Sequence, residues 1–600
     1  MAKVIHPVVK AFWNEEKIFA VWNEGLITSL WKGKGDKEKM DCQRGITVSS
    51  AISMIPEEII HNRMRTLIKL TPAQGGGKKA TATRDHVFLL RSAIGEALHQ
   101  KRQIFLTFYD VQKAYDHACP DDMLYVAWNS GLKGKLWRLT KLLNTNLSAR
   151  INTRYGKSRK ISREIGGKQG GKIMTFLFAK LMDTLAEDIQ KTPELGIISN
   201  SVGIGVLEWV DDVISFAENI AQQESTLEFI NDFAVRHKLK WGPNKCKVMQ
   251  IGVKNDPKKT WELGDNIITS TNSYTYLGDV ITADGKNHEN LEVRKNKMQG
   301  STRRVLASAS IEVLKTVATK TLLQLHEAYS ISAILINCES WILTKADRDK
   351  LDRMEIWAYK KLFNVPITTP TAALIFETRS LFTSIRVIKK QLKYLHILLT
   401  RDDADWNKRT LLSEVENDIV WGKHITGILE ECSLFYTLEE IKNKKKREWE
   451  QIVEEATWNL NKKKILNLCM CKGKVRTKTK EITQIIEDGT YQRGYNHNSL
   501  FELPRHSVKT ILMARYGMLD CAANYHGRYK TKLCEECGVT DNEDHRINSC
   551  KKWENVNLHG TEYNINFDTV FSNDIDELRQ ISGCLNCIWN LENGRNEMKS

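Results

Sequence analysis

The sequence predicts an α+β fold in which strands dominate the first 285 residues and helices dominate the rest. Runs of β-branched and aromatic residues, such as IFLTFYDV (104–111) and VGIGVLEWV (202–210), are typical of buried strands. Residues 286–400 instead carry apolar residues at helical spacing, with few helix breakers before Pro366. A Cys- and His-rich segment near the C-terminus predicts a further small, metal-binding unit.

Length and composition indicate a folded, multidomain chain with a basic balance of charge. At 600 residues, a prior of about 150 residues per domain gives roughly four units. Hydrophobic residues make up 41% of the chain, and the 35 Gly and 10 Pro are too few for collagen or a long disordered linker. The net charge of +16 favours a polyanionic partner, with nucleic acid ahead of an acidic membrane surface.

The chain shows no sign of export or membrane insertion. Its first residues have no apolar run behind a basic start, so we expect no signal peptide. No run reaches about 18 apolar residues, so we expect no membrane span. In a reducing compartment, clustered cysteines among the 13 present favour metal over disulfides. We therefore expect an intracellular protein, nuclear or cytoplasmic, that is not secreted.

The first half of the chain alternates loops, strands and helices. Two Gly- and Lys-rich loops, KGKGD (32–36) and PAQGGGKKATATR (72–84), lie between apolar runs. Apolar spacing predicts helices over residues 85–101, 123–148 and 219–237.

Three aspartates are predicted to lie at the ends of buried strands. Asp110 ends the run IFLTFY, and Asp211 and Asp212 separate two apolar runs in the pattern of a hairpin tip. A buried carboxylate is costly unless it binds a cation, and adjacent strands would bring the three together. Such a cluster suits two Mg²⁺ ions, one activating an attacking hydroxyl and one neutralising the leaving group. The alternative is that the Asp-Asp pair is an ordinary turn and Asp110 only ends a strand.

Seven sequence motifs follow one another in a fixed order. They are KGKGD with RGI (32–36 and 44–46), QGGGKKATATRD (74–85), FYDVQKAYD (108–116), KQGG with FLFA (168–171 and 176–179), WVDD (209–212), PNKCKVM (243–249) and YTYLG (274–278). FYDVQKAYD and WVDD resemble the D-x-x-x-A-F/Y-D segment and the F/Y-x-D-D hairpin of the reverse transcriptases of non-LTR retrotransposons. The resemblance covers about residues 20 to 370. It implies a right-hand polymerase, with an antiparallel-sheet palm and fingers followed by a helical thumb.

The resemblance also implies a role for each matching residue. Asp110, Asp211 and Asp212 would hold two Mg²⁺ ions, with Mn²⁺ as an alternative. Tyr115 would screen the 2′-position of the incoming sugar, since a flat ring excludes a hydroxyl. The incoming triphosphate would be contacted by Lys32, Lys34 and Arg44, and the leaving pyrophosphate would be neutralised by Lys245. The template and the nascent base pair would be contacted by Gln169 and Gly170. The primer end would be gripped by Tyr276, Leu277 and Gly278.

Several residues depart from the family pattern. Trp209 replaces the usual Tyr or Phe, and Gly77 replaces the usual Phe. Ala82 replaces a Ser, and Met174 with Thr175 stand where Ser-Pro is common. These changes concern template handling and fidelity more than metal binding.

A Cys/His cluster lies near the C-terminus, with the spacing Cys534-x2-Cys537-x7-His545-x4-Cys550. Four soft ligands at these spacings can close one tetrahedral zinc site. The cluster resembles the C-terminal Cys-Cys-His-Cys module of the same elements, which implies a structural Zn²⁺ and a grip on nucleic acid. Arg546, Lys551 and Lys552 lie close to it in sequence. The alternative is a set of unrelated buried thiols and a surface histidine.

We predict four segments along the chain. They are reverse transcriptase fingers and palm (1–285), helical thumb (286–400), a basic and mainly helical connector (401–505) and a zinc module (506–600). The Lys-rich runs between 442 and 480 would bind phosphate backbones without reading sequence, and KNKKKR (442–447) could alternatively direct nuclear import.

The predicted activity is RNA-directed DNA polymerisation, in which a primer 3′-hydroxyl attacks a bound dNTP. The expected partners are an RNA template, a DNA primer, target DNA and dNTPs, but no membrane. The fingers-like segment begins within the first 30 residues and only about 50 residues follow Cys550, so we expect no endonuclease domain here and a nick from a separate enzyme.

Two alternatives to a retrotransposon polymerase stay open. One is a protein like the group II intron maturases, which share the polymerase core. The other is a catalytically inactive or domesticated remnant that only binds nucleic acid. The presence of all three aspartates favours an enzyme. The departures from the family pattern at Gly77 and Met174 leave the inactive, nucleic-acid-binding remnant as an alternative.

Overall fold

A computed structural model of the chain contains two compact units. It describes residues 2–33, 35–163, 165–168, 170–252, 259–308, 316–470, 479–494, 497–519, 521, 531–542, 545–546, 549–551 and 570–592. The first unit comprises Met1–Lys286 with Arg401–His424, and the second comprises Asn287–Thr400 with Ile425–Ser600. The finer division into four functional segments stays a prediction.

The first unit holds the strands of the described chain. They are β1 Glu24–Trp31, β2 Gln43–Val48, β3 Ile104–Asp110, β4 Leu147–Thr153, β5 Gly156–Lys157, β6 Ile161–Arg163, β7 Ile197–Ser199, β8 Val202–Ile204, β9 Val206–Trp209, β10 Asp212–Ala217, β11 Lys247–Ile251, β12 Thr260–Leu263, β13 Asn266–Ser270, β14 Ser273–Tyr276 and β15 Asp279–Thr282. Its helices are Ala2–Glu15, Met54–Leu67, Thr83–His99, Ala114–His117, Pro120–Asn129, Gly134–Asn144, Lys172–Gln190, Ile220–Arg236 and Trp406–Glu416, and helix Val420–Glu431 begins in this unit.

The central sheet has the strand order β12-β13-β11-β3-β10-β9. β3 lies inside it and pairs antiparallel with both β10 and β11, while β11 and β13 form a parallel pair. The six residues that precede Asp110 in β3 are all buried, which explains their β-branched and aromatic composition. The predicted buried strand is therefore confirmed.

A second sheet has the order β2-β1-β4-β5, with β6 also paired to β4. Here the helix predicted over residues 123–148 is wrong in part. The segment forms two helices, Pro120–Asn129 and Gly134–Asn144, and then enters β4 at Leu147. Gly131 and Gly134 adopt φ values of +104° and +59°, which a continuing helix does not allow.

The apolar run 202–210 is also two strands rather than one. β8 pairs with β7 in a small separate sheet, and β9 pairs with β10 in the central sheet. The break falls at Gly205, where a Cβ would lie 2.3 Å from a side-chain carbon of Ile189. The predicted hairpin is confirmed for β9 and β10 alone.

Residues 401–424 pack within the first unit although they lie far along the chain. Arg401 reaches the buried carboxylate of Asp85 at 2.8 Å. Trp421 makes an edge-on contact with Phe88, with 5.3 Å between ring centroids. A long-range ion pair and an aromatic contact thus fix this segment against helix Thr83–His99.

The second unit is helical in its described part. Its helices are His288–Ala307, Thr319–His326, Ser332–Ile334, Lys345–Phe363, Thr371–Thr378, Thr383–Leu399, Leu438–Asn443, Lys446–Met470, Thr479–Glu487, Arg505–Arg515 and Ile575–Glu592. Trp341 and Leu351 lie in one apolar core, and Phe363, Phe501 and Leu512 lie in another. The helical prediction for residues 286–400 is confirmed where this segment is described. Most of the basic run 472–480 lies outside the described residues.

No helix in the described part of the chain combines the length and the apolar character needed to cross a bilayer.

Candidate active site and metal centre

The ends of two adjacent strands bring the three predicted aspartates together. Asp110 is the last residue of β3 and Asp212 the first of β10, and the two are direct partners across the ladder. Asp212 also pairs with Trp209 of β9, so that Val210 and Asp211 form the two-residue tip of the hairpin. Val210 takes a φ of +61° there, as tight two-residue hairpins require.

The carboxylates of this cluster disfavour one another's charge. Burial raises the pKa of Asp212 to about 6, and the neighbouring charges of Asp211 and Asp110 act in the same direction. Burial also raises the pKa of Asp211, again with a contribution from Asp110. Both groups would ionise more readily beside a cation.

Lys245 supplies part of the opposing charge. Its Nζ donates to both carboxylate oxygens of Asp110, at 2.9 and 2.8 Å. Gly242, three residues earlier, donates its N–H to the Asp110 carbonyl at 2.8 Å. A Cβ at Gly242 would lie only 3.0 Å from Asp110 Oδ2, so a glycine at this position avoids a steric clash with the carboxylate. The segment predicted around Lys245 therefore lies against the triad.

The sequence offered no role for Gln74, yet this fully buried side chain holds the hairpin tip. Its Oε1 accepts hydrogen bonds from the N–H groups of Val210 at 3.0 Å and Gly76 at 2.9 Å. Its Nε2 donates to Glu208 Oε2 at 3.1 Å and to the Ala179 carbonyl at 3.2 Å. The sequence shows this site only as a glutamine followed by three glycines, because its partners Ala179, Glu208 and Val210 lie more than 100 residues away.

The glycines after Gln74 allow that close approach. A Cβ at Gly76 would lie 2.4 Å from a Val210 side-chain carbon. A Cβ at Gly75 would lie 2.6 Å from the ring of Trp209, which itself packs edge-on against His86 at 5.5 Å. Gly75 thus accommodates the larger aromatic residue of this hairpin.

Tyr115 lies half-buried within electrostatic reach of the hairpin tip. Burial raises the pKa of its phenol, a hydrogen bond with Thr175 opposes that change, and the charge of Asp211 adds to it. Its ring lies 5.8 Å from that of Phe178. Tyr115 thus lies within the electrostatic influence of Asp211, and its role at the sugar stays a prediction.

The residues predicted to contact the triphosphate and template are only partly described. Arg44 is an exposed residue of β2, and its charge lowers the pKa of Asp211. Lys32 is exposed just after β1, and its N–H donates to the Cys42 carbonyl at 2.9 Å. Gly170 takes a φ of +112° beside the Thr47 carbonyl of β2. Lys34 and Gln169 lie outside the described residues.

The predicted primer-grip motif forms a tight hairpin of β14 and β15. Tyr276 pairs with Asp279, and Leu277 and Gly278 make the turn with φ values of +45° and +86°. Tyr274 stacks on Phe108 of β3 with 4.2 Å between ring centroids. Burial raises the pKa of Tyr276, and the charge of Asp212 adds to the shift. The hairpin thus packs against the strand that carries Asp110.

Within the described residues, one group of metal-ligating side chains lies with its ligand atoms all within 4.8 Å of one another: Cys534, Cys537, His545 and Cys550. The Sγ atoms of Cys534 and Cys550 are 3.7 Å apart. His545 is buried, and its Nε2 has no hydrogen-bond partner. Three thiols around an unsatisfied imidazole nitrogen form a donor set that fits a metal ion.

The surroundings of this cluster favour thiolates. Burial raises the pKa of the Cys534 thiol, but the neighbouring His545 and Cys550 side chains and nearby backbone groups outweigh it and lower the pKa to about 7. The N–H of Lys551 donates to Cys537 Sγ at 3.3 Å. Arg546, which lies close to the cluster in sequence, forms an ion pair with Asp541 at 2.6 and 2.7 Å. Lys552 lies outside the described residues.

Comparison with known proteins finds similarity over part of the chain. Residues 34–281 match the family "Reverse transcriptase (RNA-dependent DNA polymerase)". Similar proteins include the retrovirus-related Pol polyproteins from type-1 retrotransposable element R2 of Popillia japonica and Nasonia vitripennis. The first is 27% identical over 207 residues, 34% of this chain and 29% of the relative. The second is 23% identical over 278 residues, 44% of this chain and 26% of the relative.

Residues 34–281 are therefore similar to reverse transcriptase domains, and the similar proteins come from retrotransposable elements. The chain matches less than a third of the length of either relative. Solved structures with a detectable likeness include the telomerases of Candida tropicalis and Candida albicans. The Candida tropicalis structure has a TM-score of 0.34 at 12% identity, and the Candida albicans structure has a TM-score of 0.35 at 10% identity. Each match covers 76% of this chain and 68% of the telomerase chain.

The strained carboxylate cluster predicts that Asp212→Asn stabilises the metal-free protein at pH 7. Asp212 has a folded-state pKa of about 6 against an ordinary 3.8, so the wild type loses stability as pH rises between these values. Removing the charge should raise the free energy of unfolding by about 1 to 3 kcal/mol. Urea unfolding of the first unit at pH 4.0 and 7.0 measures this.

Asp265→Asn, at an exposed turn between β12 and β13, is the matched control and should leave stability unchanged. The gain from Asp212→Asn should vanish at pH 4.0, where the wild-type carboxyl is protonated when folded. An equal gain at both pH values, or none at either, would contradict the described electrostatics.

Proposed function

We propose that the chain is an RNA-directed DNA polymerase of a non-LTR retrotransposon, which extends a DNA 3′-hydroxyl on an RNA template. The observation that carries this is the juxtaposition of Asp110, Asp211 and Asp212 at the ends of adjacent strands. The family match over residues 34–281 supports it. Catalysis in such a site is mostly positioning and charge neutralisation.

The three aspartates fit a pair of Mg²⁺ ions, with Mn²⁺ as an alternative. Three carboxylates face the ammonium of Lys245, which contacts Asp110. Burial, together with the neighbouring carboxylates, raises the pKa values of Asp211 and Asp212, so a bound cation would favour their ionised forms. Bound there, Mg²⁺ would lower the pKa of the attacking hydroxyl and neutralise the leaving pyrophosphate. The protein's part is to hold the carboxylates at the strand ends, and Gln74 does so through the hairpin tip.

Lys245 and Tyr115 act on the incoming nucleotide in this proposal. The Lys245 side chain is 69% exposed and ends beside Asp110, so its ammonium can leave the carboxylate to meet the departing pyrophosphate. Tyr115 presents a flat ring near Asp211 and would exclude a 2′-hydroxyl. Arg44, near Asp211, suits bidentate contact with the triphosphate, and Lys32 and Lys34 would join it.

Template and primer would meet backbone turns. Gln169 and Gly170 would lie against the template and the nascent pair. Gly170 adopts a φ of +112°, which a side chain at this position would strain. Tyr276, Leu277 and Gly278 would grip the primer end, and a Cβ at Gly278 would meet no atom within 4 Å. That open space suits close approach of a sugar-phosphate backbone.

The Cys/His cluster is proposed to bind one structural Zn²⁺. Zinc prefers tetrahedral sites of thiolates and imidazole, and the four donors present are of these types. The folded module would then support binding of nucleic acid. Lys551, whose N–H contacts Cys537, would offer its side-chain charge to nucleic acid, and Arg546 pairs with Asp541.

The proposed partners are an RNA template, a DNA primer, target DNA, dNTPs and a separate endonuclease, in a nuclear or cytoplasmic location. A protein like the group II intron maturases and a remnant that only binds nucleic acid are the competing functions. Primer extension separates the remnant from a polymerase.

Primer extension tests the proposal directly. Purified chain should extend a DNA primer annealed to an RNA template with dNTPs and Mg²⁺. The double change Asp211→Asn, Asp212→Asn removes two carboxylates and should lower the extension rate by about 1,000-fold or more. Asp265→Asn should extend at the wild-type rate. Extension is read as product length on a denaturing gel.

The other outcomes decide between the competing functions. If wild type and double variant both fail while RNA still binds, the chain is a binding protein rather than a polymerase. If both extend equally, the aspartates are not the site and another enzyme is present.

The zinc assignment predicts one Zn²⁺ per chain by elemental analysis. Cys537→Ser should lower bound zinc to near zero and lower the melting temperature of the second unit, because a structural zinc contributes directly to folding. Cys119→Ser changes a free cysteine outside the cluster and should leave the bound zinc and the melting temperature of the second unit unchanged. Unchanged zinc content in Cys537→Ser would refute the assignment.

A further inference from the structure

A cavity of about 490 Å³ lies in the second unit, lined by residues of two neighbouring helices. Helix His288–Ala307 contributes Lys295, Met298 and Gln299. Helix Lys345–Phe363 contributes Lys350, Arg353, Met354 and Trp357, which are spaced so that they share one face. Its volume falls in the range of about 300 to 1,000 Å³ that is common for ligand sites.

The lining combines a flat aromatic ring with a soft apolar floor. Met298 and Met354 are 0% and 5% exposed, and Trp357 is partly buried against the same core. Methionine adapts to flat ligands, and an indole ring stacks well on a nucleobase. Gln299 adds an amide that can donate to or accept from the edge of a base.

The rim of the cavity is positively charged. Lys295 and Lys350 share a single carboxylate, that of Glu292, at 3.3 and 2.6 Å. Arg353 lies three residues after Lys350 in the same helix and is exposed. Three cations against one carboxylate leave two net positive charges beside an aromatic recess. This positive charge would attract a phosphate group on a ligand that occupies the recess.

We propose that this cavity binds one unpaired nucleotide of a single-stranded nucleic acid. The base stacks on Trp357 over the two methionines, and the adjoining phosphates contact Lys295, Lys350 and Arg353. A base within a duplex is stacked between its neighbours and cannot enter a recess, whereas an unstacked base can. None of the three catalytic aspartates lines the cavity, so this binding stands independently of the polymerase proposal.

The test compares Trp357→Leu with Trp357→Phe in the full chain, using labelled 12-nucleotide oligo-U RNA and oligo-dT DNA and reading fluorescence anisotropy. Loss of the ring in Trp357→Leu should weaken binding by about 5- to 150-fold. Trp357→Phe keeps a stacking face and should bind within about threefold of wild type. Preference for the RNA or the DNA oligonucleotide identifies which strand is bound, and either supports the proposal.

Two controls keep the result specific. Trp458→Leu changes another partly buried tryptophan of the same unit and should cost similar stability without loss of binding. Arg353→Gln should reduce the slope of log affinity against log salt by about 0.7, the contribution of one phosphate contact to a single strand. Asp265→Asn, at an exposed turn of the first unit, should bind like wild type.

Equal affinities of Trp357→Leu and wild type for both oligonucleotides would overturn the proposal. So would an equal loss of binding to a blunt RNA–DNA duplex, because that result would assign the surface to a paired backbone instead. Failure of primer extension alone leaves the proposal intact, since the binding assay needs no catalysis.

Discussion

The repulsion among three carboxylates held at the ends of adjacent strands is the constraint on which the proposed site depends. The pairing of Asp110 with Asp212 sets their spacing, and burial raises the pKa of Asp212 to about 6. Folding therefore works against this cluster in the absence of a cation. The surrounding structure holds the arrangement in place: the buried strand β3, the Gln74 hydrogen bonds to the tip, and the ammonium of Lys245.

At two positions where the sequence departs from the reverse transcriptase pattern, the surrounding residues accommodate the change. Trp209 fits at the hairpin because Gly75 has no side chain in its way. At Gly77, where the family usually has Phe, the ring of Phe176 lies 3.3 Å from the position of a Cβ. The apolar volume lost at one position is supplied from another helix. Such paired changes indicate that the departures are accommodated by close packing at these positions.

Much of this site could be predicted from the sequence because its elements are local. A continuous apolar run ending in Asp110 predicts a buried strand, and two acids between apolar runs predict a hairpin tip. Long-range contacts could not be predicted in the same way. Gln74 acts on a turn more than 100 residues away, and Arg401 pairs with Asp85 across the chain. The helix break at Gly131 was missed because the apolar spacing continues across it.

The metal site at the three aspartates is tested by the binding of Mn²⁺ as a function of pH, followed by electron paramagnetic resonance on the full chain. Mn²⁺ prefers carboxylate oxygen, so Cys537→Ser should not affect it. Affinity should rise steeply from pH 5 to pH 7 as Asp212 ionises near pH 6, and Asp212→Asn should lower the affinity and weaken its dependence on pH. Binding that is independent of pH, or unchanged in Asp212→Asn, would contradict the claim that these carboxylates form the metal site.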